Sequence, residues 1–122
     1  MPSILVLDDD FQARNSLAKH LEDEDFLVRE AEDSESALAL LEKQSVALVV
    51  VDLRLPGKDG FSFIKEAHQR WPDMKFIIHT GSLNFSIPAA FSNIAALSGS
   101  LFQKPLLDFN ELTDEIRRML AL

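Results

Sequence analysis

Five residues of this chain have side chains suited to chemistry and share one kind of position. Asp8 and Asp9 follow the apolar run Ile4-Leu5-Val6-Leu7, and Asp52 follows the apolar run 46–51. Thr80 follows Phe76-Ile77-Ile78-His79, and Lys104 follows Leu101-Phe102-Gln103. If each run is a strand of one parallel sheet, all five residues lie at its C-terminal edge, where ligands bind in the crevice outside the strands. Three carboxylates, a hydroxyl and an ammonium then converge on one pocket. Carboxylates that close repel one another, and without compensation some stay protonated. A hard divalent cation such as Mg2+ removes the conflict, because it accepts carboxylate oxygens, a backbone carbonyl and waters. A phosphoryl group entering the pocket would bridge the metal, the Lys charge and the Thr hydroxyl.

Taken singly, each feature has an ordinary explanation. An Asp run after a strand commonly caps a helix, and a Thr before Gly or a Lys before Pro is common in loops. The turn Pro56-Gly57-Lys58-Asp59-Gly60 could simply reverse the chain. Their conjunction at successive strand ends favours the functional reading.

The elements that must position these residues alternate. Continuous apolar runs such as Ile4-Leu5-Val6-Leu7 read as buried parallel strands, whose two faces are both covered. Phe26-Leu27-Val28 reads as a more polar edge strand, and 46–51 as the central one. Residues 76–79 and the short run 101–103 complete a set of five. Between them fall helical patterns. The first has Ala13, Leu17 and Leu21 at four-residue spacing, with Asp10 as its cap. The second carries Ala37, Leu40 and Leu41 after a Ser34 cap, and the third Ile64, Ala67, His68 and Trp71 before Pro72. A weak helix is expected over 88–97, a stretch containing Pro88 and Asn93. The last helix opens on Asp108-x-x-Glu111, which resembles a capping box, and carries Phe109, Leu112, Ile116 and Met119 on one face. Five strands alternating with five helices predict an α/β domain with a parallel sheet.

Composition narrows the function. A length of 122 residues suits one domain, and 47% hydrophobic with 26% charged residues excludes disorder. The formal net charge of −8 argues against direct nucleic-acid binding, which needs a basic patch. The absence of Cys excludes disulfides, thiolate metal sites and Cys nucleophiles. The longest apolar run is far short of the roughly 20 residues of a membrane span, and no signal peptide is visible. These features predict a cytoplasmic protein without a membrane partner.

Asp8-Asp9 after Ile-Leu-Val-Leu, then Val-Val-Asp52-Leu-Arg-Leu-Pro56-Gly-Lys-Asp-Gly60, Thr80-Gly81 and Lys104-Pro105 together resemble the receiver domain of two-component response regulators. The resemblance covers essentially residues 1–122, in order. It implies a doubly wound, flavodoxin-like fold with a five-stranded parallel sheet in the order 2-1-3-4-5 and five helices on its two faces. It further implies that Asp52 is the phosphoacceptor, with Mg2+ held by Asp8, Asp9, Asp52 and the Arg54 carbonyl. Thr80 and Lys104 would engage the phosphoryl group, and the Lys104-Pro105 peptide would be cis. The implied partners are a histidine kinase or phosphotransfer protein upstream and an unidentified protein downstream, with a homodimer possible. Such a chain is not an enzyme except toward its own phosphotransfer and dephosphorylation. Only Leu120-Ala121-Leu122 follows the last helix, so the expectation is a stand-alone receiver or one cut from a longer protein.

Some residues depart from that family. An aromatic usually stands three positions before the Lys; here it is Leu101, and Phe102 falls one residue later, on the opposite sheet face, as packing. The interval from Thr80 to Lys104 is slightly long, predicting a remodelled output surface and a segment that orders on phosphorylation. Two rivals follow. One is a haloacid-dehalogenase-type phosphatase using Asp8 as nucleophile and Asp10 as acid/base. The other is a receiver-like binding module that works without phosphorylation. His79 and His68 read as packing residues and His20 as a surface residue, none at zinc-ligand spacing.

Overall fold

The computed structural model describes residues 2–81, 97–104 and 108–121, with the backbone alone for 98–101 and 103. The elements run β1 (Ser3–Leu7), α1 (Phe11–Asp23), β2 (Leu27–Ala31), α2 (Ser34–Lys43), β3 (Leu48–Val51), α3 (Gly60–Arg70), β4 (Lys75–Thr80), β5 (Leu97–Gln103) and α4 (Asn110–Leu120). All neighbouring strands pair in parallel, in the order β2-β1-β3-β4-β5. The most apolar strand, β3, lies at the centre and the more polar β2 at an edge. The reason is exposure: an inner strand has both faces covered, whereas three of the five β2 residues are exposed.

Alternation along the strands divides the interior in two. Leu5, Leu7, Val49, Val51, Phe76 and Ile78 face α2 and α3, packing on Ala37, Leu38, Leu41, Phe63, Ile64 and Ala67. Ile4, Val6, Leu48, Val50 and Ile77 face the other way, onto Leu17 and Leu21 of α1 and Leu112 and Ile116 of α4. Burying each such side chain contributes roughly 1.5–3 kcal/mol, so these two layers dominate the stabilisation. Phe102 packs in the second layer, as its strand position predicts.

The local devices differ from the sequence reading in several places. Asp10 caps α1, accepting from the Gln12 and Ala13 amides, but α2 is capped by Asp33 rather than Ser34. Within α2, Leu38 is buried and Leu40 only half-buried, because the face turned to the sheet lies one position away. Trp71 stands just beyond α3 as its C-cap. The β2 strand begins at Leu27, Phe26 being core, and runs on to Ala31. The β5 strand starts at Leu97, four residues earlier than the pattern suggested. At α4 the cap is Phe109, and Asp108 instead accepts the Asn110 amide at 2.9 Å. His20 is half-buried rather than on the surface, its Nε2 lying 3.1 Å from the Thr113 hydroxyl. Four helices occur among the described residues. Apart from Leu97, the weak helix expected over 88–97 lies outside them, as do the Lys104-Pro105 peptide and the Leu101 side chain.

Candidate functional site

The strand ends bring the acids and the lysine together. Asp8 directly follows β1 and Asp52 directly follows β3, and the two strands are hydrogen-bonded neighbours. Both carboxylates are buried, with 4% and 5% of their side-chain surface exposed, whereas Asp9 is exposed. The sharp turns after each strand are closed by the acids themselves. Asp8 Oδ1 accepts the Asp10 amide at 2.9 Å, and Asp52 Oδ1 accepts the Arg54 amide at 3.1 Å. An Asp accepting the amide two residues on is the short-range device by which this side chain favours turns.

Lys104 enters from the end of β5. Its backbone amide donates to the Thr80 carbonyl at 2.9 Å, which extends the β4–β5 pairing by one residue. Its ammonium then lies 2.5 Å from Asp8 Oδ2 and 3.1 Å from Asp52 Oδ2. Burial works against that charge, but the hydrogen bonds and attraction of the two carboxylates outweigh it and hold the Lys104 pKa above the usual lysine value. Burial raises the Asp8 pKa, a shift opposed by the Lys104 and Asp10 hydrogen bonds. Thr80 is fully buried at the last position of β4. Near the lysine, burial pushes the His79 pKa down to about 4, with Lys104 lowering it further, and its buried Nε2 has no hydrogen-bond partner among the described residues.

One ligand oxygen each from Asp8, Asp9 and Asp52 fall within 4.8 Å of one another. Three hard oxygen donors at that spacing fit a divalent cation that prefers carboxylates and keeps several waters. The backbone carries the loop that follows close by. A Cβ at Gly60 would come within 2.5 Å of the Asp52 carbonyl oxygen and 2.8 Å of Leu53 Cα, so α3 can begin there only with glycine. Arg54 is exposed.

Two contributors escaped the sequence reading. Arg14 donates from Nη1 to the Asp8 carbonyl at 2.8 Å, and from Nε to Glu30 at 3.0 Å. The buried Ser34 hydroxyl donates to the Lys58 carbonyl at 2.8 Å, tying the loop after β3 to the start of α2. Arg14 did leave a signal: a cation on the fourth residue of a helix opposes its dipole and needs an acceptor.

Comparisons with known proteins place this fold in a family. Residues 4–117 match the model of the response regulator receiver domain. The hydrogenase transcriptional regulatory protein HoxA of Cupriavidus necator is 37% identical over 79 residues, 65% of this chain and 16% of its own length. The chain thus spans about a sixth of that relative. A CheY-like receiver domain protein from Methanospirillum hungatei superposes with a TM-score of 0.86 at 28% identity, over 99% of this chain and 94% of that one. The response regulator TrrA of Thermotoga maritima, solved with Mg2+-BeF, shares the fold with a TM-score of 0.85 at 24% identity, over 98% and 99% of the two chains. Membership removes the dehalogenase-type phosphatase as a reading, and Asp10, that reading's acid/base, is spent as the α1 cap. The match over nearly the whole chain, on a sheet that gathers its acids and lysine at one edge, identifies the protein as a member of the receiver domain family of two-component response regulators.

Proposed function

We propose that residues 1–122 act as one receiver unit that takes a phosphoryl group onto Asp52 from the phosphohistidine of a histidine kinase or phosphotransfer protein. The observation that carries this reading is the Lys104 ammonium, held between the Asp8 and Asp52 carboxylates at the mouth of the sheet. A cation there neutralises the resting acids and can move to the oxygens of an arriving phosphoryl group. Asp52 Oδ1 is oriented by the Arg54 amide. An Asp52 carboxylate oxygen attacks phosphorus in line, the P–N bond breaks, and its electron pair stays on the donor imidazole. Lys104 and the Thr80 hydroxyl then receive the phosphoryl oxygens. Asp8, Asp9, Asp52 and the Arg54 carbonyl would hold Mg2+, which supplies charge neutralisation as the phosphoryl group transfers. TrrA, solved with Mg2+-BeF, offers a parallel on the same fold.

The acyl phosphate formed is labile, so the signal has a lifetime, and the chain catalyses only its own phosphorylation and dephosphorylation. The output passes to a downstream protein, with a second copy of the chain as a further partner. The acidic surface disfavours direct contact with nucleic acid. None of the described helices is long and apolar enough to cross a membrane. A cytoplasmic location belongs to the same proposal.

The test is chemical. After incubation with a small acyl phosphodonor and Mg2+, borohydride reduction should convert residue 52 to homoserine, located by peptide mass spectrometry. Homoserine at another aspartate, or at none, overturns the assignment.

A further inference from the structure

Asp8 is held at both its backbone and its side chain, and part of that restraint comes from outside the site. Its amide donates to the Ala31 carbonyl at 3.1 Å, and its own carbonyl accepts Arg14 Nη1 at 2.8 Å. The peptide group joining Asp8 to Asp9 is therefore held by a guanidinium. That guanidinium is in turn fixed by Glu30 of β2 at 3.0 Å, and lies 5.4 Å from the Phe11 ring centre. Only 12% of the Arg14 side chain is exposed, against 33% for Glu30. The side chain bridges an edge strand and a turn rather than extending into water.

The position makes this placement costly unless it has a use. Arg14 is the fourth residue of α1, whose N-terminal end repels a positive charge, and no acidic residue stands in the first turn. The planar guanidinium serves two acceptors in different directions, which a lysine ammonium on a flexible stem does less well. Asp9 is exposed, so no surrounding packing sets its direction. The peptide group that leads into Asp9 is the one Arg14 holds, at the Asp8 carbonyl.

We infer that Arg14 is a positioning residue for the metal ligands, and that through Glu30 it couples the edge strand β2 to the affinity of the site for a divalent cation. The inference rests on the functional reading above, in which Asp8 and Asp9 hold Mg2+. Arg14 acts by fixing the Asp8–Asp9 peptide and by placing a positive charge behind three clustered carboxylates. It does not touch the reacting atoms.

The test titrates MgCl2 alone into the chain and follows backbone amide shifts of residues 9, 10 and 54, with urea unfolding measured on the same samples. Removing an outer partner of a metal ligand typically weakens binding about 10–100-fold. Arg14→Ala should therefore raise the Mg2+ dissociation constant about tenfold, and Glu30→Gln about threefold. Arg14→Lys should fall between the unsubstituted chain and Arg14→Ala. In each variant the amide of Asp9 should shift before any metal is added. Mg2+ affinity within twofold of the unsubstituted chain in a folded Arg14→Ala overturns the inference. Should that variant not fold, Arg14→Lys decides: unchanged affinity at an unchanged urea midpoint overturns it equally. An unsubstituted chain that binds no Mg2+ at millimolar concentration would instead bring down the underlying reading.

Discussion

The turn after β1 and the loop after β3 each deliver one buried carboxylate to the site, by the same local device but with different support. Both acids bond the amide two residues onward through Oδ1, and both offer Oδ2 to Lys104. The lysine lies closer to Asp8, at 2.5 Å, than to Asp52, at 3.1 Å. The Asp8 backbone is gripped by Ala31 and Arg14, from an edge strand and a helix. The Asp52 backbone is gripped by the neighbouring strand, through the Leu7 carbonyl, and is crowded by the glycine that starts α3. The difference suits the two jobs proposed above. Asp8, with the closer lysine contact and the extra backbone hydrogen bond from Arg14, suits a ligand that stays in place. Asp52, with the longer lysine contact, suits an oxygen that must form a new bond.

The largest effect expected from this contrast is chemical. Asp52→Asn should abolish hydroxylamine-labile phosphate from a small phosphodonor with Mg2+, while Asp8→Asn should slow its appearance and leave it measurable. Label retained in the first variant and lost in the second would exchange the two roles. Next comes the backbone crowding: Gly60→Val should destabilise by about 3 kcal/mol in urea unfolding, since the added carbons meet main-chain atoms that cannot move aside. A midpoint unchanged by that substitution would show that α3 can retreat from Asp52.

Lys104→Ala removes the group the two acids share. It should lower the rate of phosphate uptake about 100-fold, the scale of losing one charged contact in a transition state, with the circular dichroism spectrum unchanged. A larger loss of folded protein than of rate would recast Lys104 as structural. His79, buried near the lysine, supplies a pH signature. Its pKa is lowered from 6.5 to about 4, so the unfolded chain takes up this proton first as the pH falls. The associated stability is complete above about pH 6.5 and is lost as the pH drops through about 4, up to about 3 kcal/mol in all. His79→Leu should flatten that part of the stability–pH curve, and an unaltered slope would place the proton uptake elsewhere. The smallest effect concerns the loop after β3: Ser34→Ala should cost about 1 kcal/mol, the worth of one hydrogen bond, read from urea unfolding. A loss under a few tenths would show that this loop needs no anchor on α2.

Much of this comparison was visible in the chain before folding. Apolar runs ending in Asp8 and Asp52 located the strand ends, because a fully buried strand leaves no other place for an acid. What could not be read were the contacts between elements. Ser34 looked like a helix cap, yet Asp33 has that role, and the Ser34 hydroxyl is released to hold Lys58. Both are good caps, so local propensity could not choose between them. His20 looked like a surface residue because its partner Thr113 is 93 positions away. The β5 strand was read too short because Ser98-Gly99-Ser100 has low strand propensity; the strand runs through them across an irregularity between the Leu97–Phe76 and Leu101–Ile78 pairs.

The sequence by itself therefore determined which residues can do chemistry here and on which edge of the sheet they gather. Strand periodicity and the parallel connection rule leave little freedom once the apolar runs are placed. Tertiary structure alone decided how the acids are held: Lys104 between Asp8 and Asp52, Gly60 against the Asp52 carbonyl, Arg14 on the Asp8 carbonyl. Those contacts depend on distances of a few ångströms between residues from 6 to 96 positions apart. Periodicity fixes which way a side chain points; only the packing of whole elements fixes what it meets.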